Sequence, residues 1–133
     1  MKKILTVGVY DLLHRGHVEL FRRAKELGDF LIVAVQDSEY VERFKPDAKL
    51  INTTFDRQYM VDAIKYVDET TLYSSVDEII KKVDFDLFVT GPDQTHEGFQ
   101  KAIDWCIANG KQHIVIPRTE GISSSDLKNK MQK

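Results

Sequence analysis

Five short strand-like runs alternate with amphipathic segments along these 133 residues, and that alternation is the strongest constraint on how the chain can fold. Ile4–Val9, Phe30–Val35, Glu69–Tyr73, Leu87–Thr90 and His113–Ile116 read as strands. Between and after them, Val18–Leu27, Phe55–Tyr66, Val76–Val83, Gly98–Asn109 and Ser124–Met131 carry apolar residues three and four apart, as helices do. Strands that alternate with helices join as a parallel sheet through right-handed crossovers. The expected fold is therefore α/β, an open parallel sheet of about five strands with helices on both faces, in one domain over residues 1–133. Ser75 with Glu78 fits a capping box, and Gly28 and Gly110 stand where helix C-termini favour positive φ. The long polar stretch from Asp37 to Thr53 reads as irregular, and a loop of that length in so small a domain is functional or mobile.

Composition narrows the function classes. Nineteen basic against 21 acidic residues give a net charge of −2, so no basic field invites nucleic acid. The single cysteine, Cys106, excludes an intrachain disulfide and multi-cysteine zinc sites, and falls on the apolar side of its helix. The Met1-Lys2-Lys3 start leads into too few apolar residues for a signal peptide, and no run is long enough to span a membrane. A cytoplasmic location is the expectation.

Two stretches carry chemistry. In Gly8-Val9-Tyr10-Asp11-Leu12-Leu13-His14-Arg15-Gly16-His17, two histidines three apart sit where the first strand turns into the first helix. That spacing lets both imidazoles face one ligand, and Gly16 lets the ligand approach the backbone. One histidine capping the helix while the other packs is the plainer alternative. A helix N-terminus offers free N–H groups and positive potential, so an anion is a better partner than zinc, for which no further ligands lie nearby. The second stretch, Arg118-Thr119-Glu120-Gly121-Ile122-Ser123-Ser124-Ser125-Asp126, follows the last strand and opens the last helix. A fixed cation, a turn glycine and a run of hydroxyls make a second phosphate cradle, or simply a capped helix beside a surface arginine.

The first stretch resembles the HxGH signature of the nucleotidyltransferase superfamily, whose fold is a Rossmann-like open sheet. The second is similar to the RTEGIST signature of its cytidylyltransferase branch, and Tyr66-Val67-Asp68-Glu69 resembles that branch's RYVDE segment. The likeness runs from first strand to last helix and is greatest to the small bacterial glycerol-3-phosphate cytidylyltransferases. It implies transfer of a cytidylyl group from CTP to a small phosphorylated alcohol, with pyrophosphate released and no protein nucleophile. Glycerol 3-phosphate is the first candidate acceptor, then phosphoethanolamine or phosphocholine; an adenylyltransferase and a non-catalytic nucleotide-binding module are the alternatives. Mg²⁺ is expected with the nucleotide, held chiefly by phosphate oxygens and water. Relatives pair as homodimers near the RYVDE and RTEG segments, and a CDP-glycerol product would point to cell-wall or capsule precursors.

By the same resemblance, His14 and His17 bind the triphosphate and stabilise the leaving pyrophosphate. Arg118, Thr119, Ser123 and Ser124 hold the outer phosphates. Gly8, Val9, Tyr10, Gly16, Gly91, Asp93, Gly121 and Ile122 complete the nucleotide site. Lys45 joins the catalytic and acceptor-binding groups, with Asp11, Arg57 and Lys65 on the acceptor. Asp11 could instead assist the metal, orient a histidine or serve only as a turn residue. A protonated imidazole would strengthen charge stabilisation. The chain departs from the family pattern at Lys65, where an arginine is usual, and at Pro92, which replaces the first of an acidic pair. A family tryptophan is also missing near Tyr73-Ser74-Ser75, and Glu97–Gly110 is longer than usual. His96 is a pocket residue or an exposed loop histidine, and His113 reads as structural.

Overall fold

A computed structural model describes residues 1–118 except Pro46 and Ala48. The expected Ser124–Met131 helix lies outside the described residues. Ten elements follow in order: β1 (Lys3–Gly8), α1 (Arg15–Lys25), β2 (Phe30–Gln36), α2 (Ser38–Phe44), α3 (Thr54–Asp62), β3 (Glu69–Tyr73), α4 (Val76–Lys82), β4 (Leu87–Thr90), α5 (Glu97–Ala108) and β5 (Gln112–Val115). The strands form one parallel sheet in the order β3-β2-β1-β4-β5.

Side chains alternate across the sheet and build two cores. On one face Leu5, Val7, Ile32, Ala34 and Phe88 pack with Ile80 of α4 and Phe99, Ala102 and Cys106 of α5. On the other, Ile4, Leu31, Val33, Leu87 and Val89 pack with Phe21 and Ala24 of α1 and Val61 of α3. Each fully buried side chain of this size contributes about 1.5–3 kcal/mol. The central strands are apolar on both faces because both faces are covered.

Four local expectations change. The Asp37–Thr53 stretch contains α2, started by the Asp37 carboxylate accepting from the Tyr40 N–H; with only Val41 buried, so short and polar a helix leaves no periodic signal. α3 ends at Asp62, but Ile64, Tyr66 and Val67 still pack on the core, so the apolar spacing continues past the helix. Ser75 makes no side-chain cap, because its hydroxyl bonds the Asp77 carboxylate. Gly110 has φ +74°, whereas Gly28 is not at positive φ. At Gly28 a Cβ would come within 2.9 Å of the Lys2 carbonyl, so close approach of the backbone demands the glycine there.

Candidate functional site

The chain runs from β1 to β2 to β3 in one direction, then crosses back to place β4 and β5 on the other side of β1. The order therefore reverses between β1 and β4. In open α/β sheets the crevice beyond the carboxyl ends at such a reversal takes the ligand. The β1–α1 turn lies on one side of this crevice and the β4–α5 turn on the other.

His14 is the N-cap of α1: its Nδ1 accepts from the Gly16 N–H at 3.0 Å. His17 reaches back, and its Nδ1 accepts from the His14 N–H at 3.2 Å. The rings lie 4.0 Å apart, tilted by 33°. An imidazole whose Nδ1 accepts a hydrogen bond carries its proton on Nε2, so both rings are neutral with their Nε2–H groups left as donors. Burial lowers the pKa of His14, and burial followed by the neighbouring His14 pushes His17 down to about 4. The ligand-free protein therefore lacks the extra charge stabilisation that a protonated imidazole would add. Capping and packing are both realised, and they orient the pair.

The turn before the pair is under strain. Tyr10 and Leu12 hold φ of +57° and +50°, a region that residues with a Cβ seldom adopt. Tyr10 is buried, its ring edge-on to His17 at 5.6 Å and to Phe21 at 5.2 Å. Gly8 makes room for it, since a Cβ there would stand 2.8 Å from the Tyr10 ring. Tyr10 and Gly8, expected at the nucleotide, thus support His17 from beneath. Burial raises the Tyr10 pKa, opposed by a smaller contribution from the Thr6 hydroxyl, and the Tyr10 hydroxyl makes no well-formed hydrogen bond among the described residues.

Asp11 and Arg57 fix the neighbouring loop. The Asp11 carboxylate, 4% exposed, accepts from the Ile51 and Asn52 N–H groups at 2.8 and 2.9 Å. Arg57 is fully buried. Its guanidinium donates to the Val9 and Gln36 carbonyls at 2.7 Å each, to Ser38 Oγ at 2.7 Å, and more weakly to the Asn52 carbonyl and Thr54 Oγ1. These engage all five guanidinium N–H groups. Arg57, expected on the acceptor, instead ties the ends of β1 and β2 to the start of α3, and the Val9 carbonyl belongs to the same brace.

Across the crevice, Asp93 forms an ion pair with Arg118, both side chains more than half exposed. This places Arg118 beside the β4–α5 turn, at the same edge of the sheet as the histidines. Pro117 is held to α1 by Arg23, which donates to its carbonyl at 3.1 Å. Gly91 has open space where a side chain would be. His96 caps α5 by accepting from the Gly98 N–H, and burial, then the charge of Lys45, lowers its pKa. Lys45 is the C-cap of α2, and its charge reaches His96, the N-cap of α5.

Lys65 is not brought to this site. It sits between α3 and β3, where Asp68 accepts from the Leu31 N–H at the start of β2, so it lies at the amino edge of the sheet. Thr119, Gly121, Ile122, Ser123 and Ser124 lie outside the described residues. Sequence reading missed Gln94, whose carboxamide joins Gly91 to Val7. Its only signal was its place in the turn after β4. Cys106 is fully buried with its thiol pushed up to about 11, and His113 bonds the buried Thr90 hydroxyl, so both are structural. No helix among the described residues is long and apolar enough to cross a membrane.

A family model described as cytidylyltransferase-like matches residues 5–130. The chain is 37% identical to a glycerol-3-phosphate cytidylyltransferase of Staphylococcus aureus, over 98% of this chain and 96% of that one. It is 41% identical to an FAD synthase of Thermococcus kodakarensis, over 69% of this chain and 63% of that one. A lipopolysaccharide core biosynthesis protein of Thermoplasma volcanium has the same fold, with TM-score 0.73 and 22% identity over 90% of this chain and 97% of that one.

Proposed function

The chain belongs to the cytidylyltransferase-like family and is a nucleotidyltransferase, and from that premise we propose that it transfers the cytidylyl group of CTP to glycerol 3-phosphate, giving CDP-glycerol and pyrophosphate. An acceptor phosphate oxygen attacks the α-phosphorus in line. The new P–O bond forms as the bond from the α-phosphorus to the bridging oxygen breaks, and pyrophosphate leaves with the electron pair. Such a reaction needs positioning and charge stabilisation more than covalent participation.

The observation that carries this reading is the paired imidazoles, each fixed through Nδ1 and each with Nε2–H to donate, at a helix N-terminus beside the sheet's reversal point. Two preorganised neutral donors suit a phosphate chain whose charge grows at the bridging and outer oxygens. Arg118 supplies the fixed cation across the crevice, and binding the outer phosphates releases it from Asp93. Lys45, whose charge reaches His96 at the start of α5, adds a second cation. Mg²⁺ enters with the nucleotide. Among the described residues no cluster of three histidine, cysteine or carboxylate groups could hold a metal. Both Asp11 oxygens accept backbone N–H groups, which fits an ion carried by phosphate oxygens and makes Asp11 a brace. The active form is a homodimer, and sedimentation as a monomer at working concentration would contradict that part.

Pyrophosphate release measured with CTP and with ATP, over glycerol 3-phosphate, phosphoethanolamine and phosphocholine with Mg²⁺, tests the reading. CTP with glycerol 3-phosphate is expected to be fastest. The similarity to an FAD synthase favours one second reading, adenylyl transfer, which turnover with ATP and not CTP would establish.

A further inference from the structure

β1 and β4 separate before either strand ends. The ladder between them stops at Thr6 and Val89, although β1 remains paired to β2 through Gly8 and β4 to β5 through Thr90. The Gln94 side chain stands where the next rung would form. Its Nε2 donates to the Val7 carbonyl at 2.7 Å, and its Oε1 accepts from the Gly91 N–H at 2.9 Å. A carboxamide carries the same donor and acceptor as a peptide group. It can therefore complete the hydrogen bonding of both strands while holding them apart by its own width.

We infer that Gln94 is a positioning residue that sets the opening of the crevice between β1 and β4 for the nucleotide, an inference that rests on the nucleotidyl-transfer reading. The Gln94 N–H also bonds the Gly91 carbonyl at 3.2 Å, so backbone and side chain together fix the Gly91–Gln94 turn. That turn carries Asp93, and Asp93 holds Arg118. Both functional atoms of Gln94 are engaged within the protein, so it acts through the strands and not by touching substrate. Val7 is buried, and losing the donor would leave its carbonyl without this partner.

Two variants test this. Gln94→Leu keeps similar length and removes both bonds; Gln94→Glu keeps the acceptor, but when ionised it faces the Val7 carbonyl with a second oxygen. Near neutral pH both are expected to raise KM for CTP roughly tenfold while kcat changes less than about threefold. A protonated glutamic acid restores one donor and one acceptor. Acidification should therefore lower KM of Gln94→Glu relative to Gln94→Leu at the same pH. Unchanged KM in Gln94→Leu, or no recovery of Gln94→Glu over Gln94→Leu, would overturn the inference. Hydrogen exchange gives a readout independent of turnover. The Gly91 amide should exchange slowly in the wild-type protein without nucleotide and rapidly in Gln94→Leu; fast exchange in the wild type would also overturn it. Failure of the wild type to release pyrophosphate, with Gly91 still protected, would refute the enzymatic reading and leave the spacer in place.

Discussion

Acid is expected to weaken this fold through His17. Adding a proton to its Nδ1 must break the bond from the His14 N–H and place a cation in a largely buried ring 4.0 Å from a second imidazole. Burial, then His14, holds the folded pKa at about 4 against an ordinary 6.5. Below 6.5 the unfolded chain binds this proton while the folded chain does not. The stabilisation is therefore complete above 6.5 and is lost as pH falls towards 4. The displacement corresponds to about 3 kcal/mol, at about 1.4 kcal/mol per pH unit. His14 contributes in the same direction. Urea unfolding at a series of pH values, for wild type and His17→Gln, reads the effect. Between about pH 7 and pH 4 the wild type should lose about 3 kcal/mol more than the variant, which cannot titrate there. Parallel curves, or a His17 ring titrating near its ordinary value by NMR, would refute the tautomer assignment.

The other predictions address the supports of the site. Tyr10→Phe removes a buried hydroxyl that makes no well-formed hydrogen bond among the described residues, so stability should change by less than about 1 kcal/mol by thermal unfolding; a larger loss would show that its contact with Thr6 is a full hydrogen bond. Arg57→Met should cost about 3–5 kcal/mol, because it strips the Val9 and Gln36 carbonyls of their donor and leaves Asp11 without the nearby charge. A near-neutral result would mean that the brace is dispensable. Lys65→Ala should leave KM for glycerol 3-phosphate within about twofold, since exposed charges far from a site are screened; a larger change would place Lys65 at the acceptor.

Much of this architecture can be read from residue order. Apolar runs give the central strands β1, β2 and β4, which are covered on both faces and need hydrophobic side chains throughout, while the edge strands β3 and β5 follow from their place in the alternation with helices. The His14–Gly16–His17 spacing likewise gives the paired rings, since a helix start brings residues three apart together. What the sequence conceals is the use of charge away from the solvent. An arginine at the start of α3 looks like a ligand group, and only the long-range contacts of Arg57 reveal five protein acceptors. Lys65 follows the same logic: a helix that begins at the ligand edge ends at the opposite one, and distance along the chain does not show it. Gln94 was silent because one carboxamide in a turn has no pattern, and its meaning comes from two strands that diverge beside it.

Steady-state pyrophosphate release by wild type, His14→Ala and His17→Ala, with saturating CTP, glycerol 3-phosphate and Mg²⁺, tests the central assignment most directly. Each alanine removes one preorganised Nε2–H donor and should lower kcat by about 10²–10³. Wild-type turnover in either variant would contradict it.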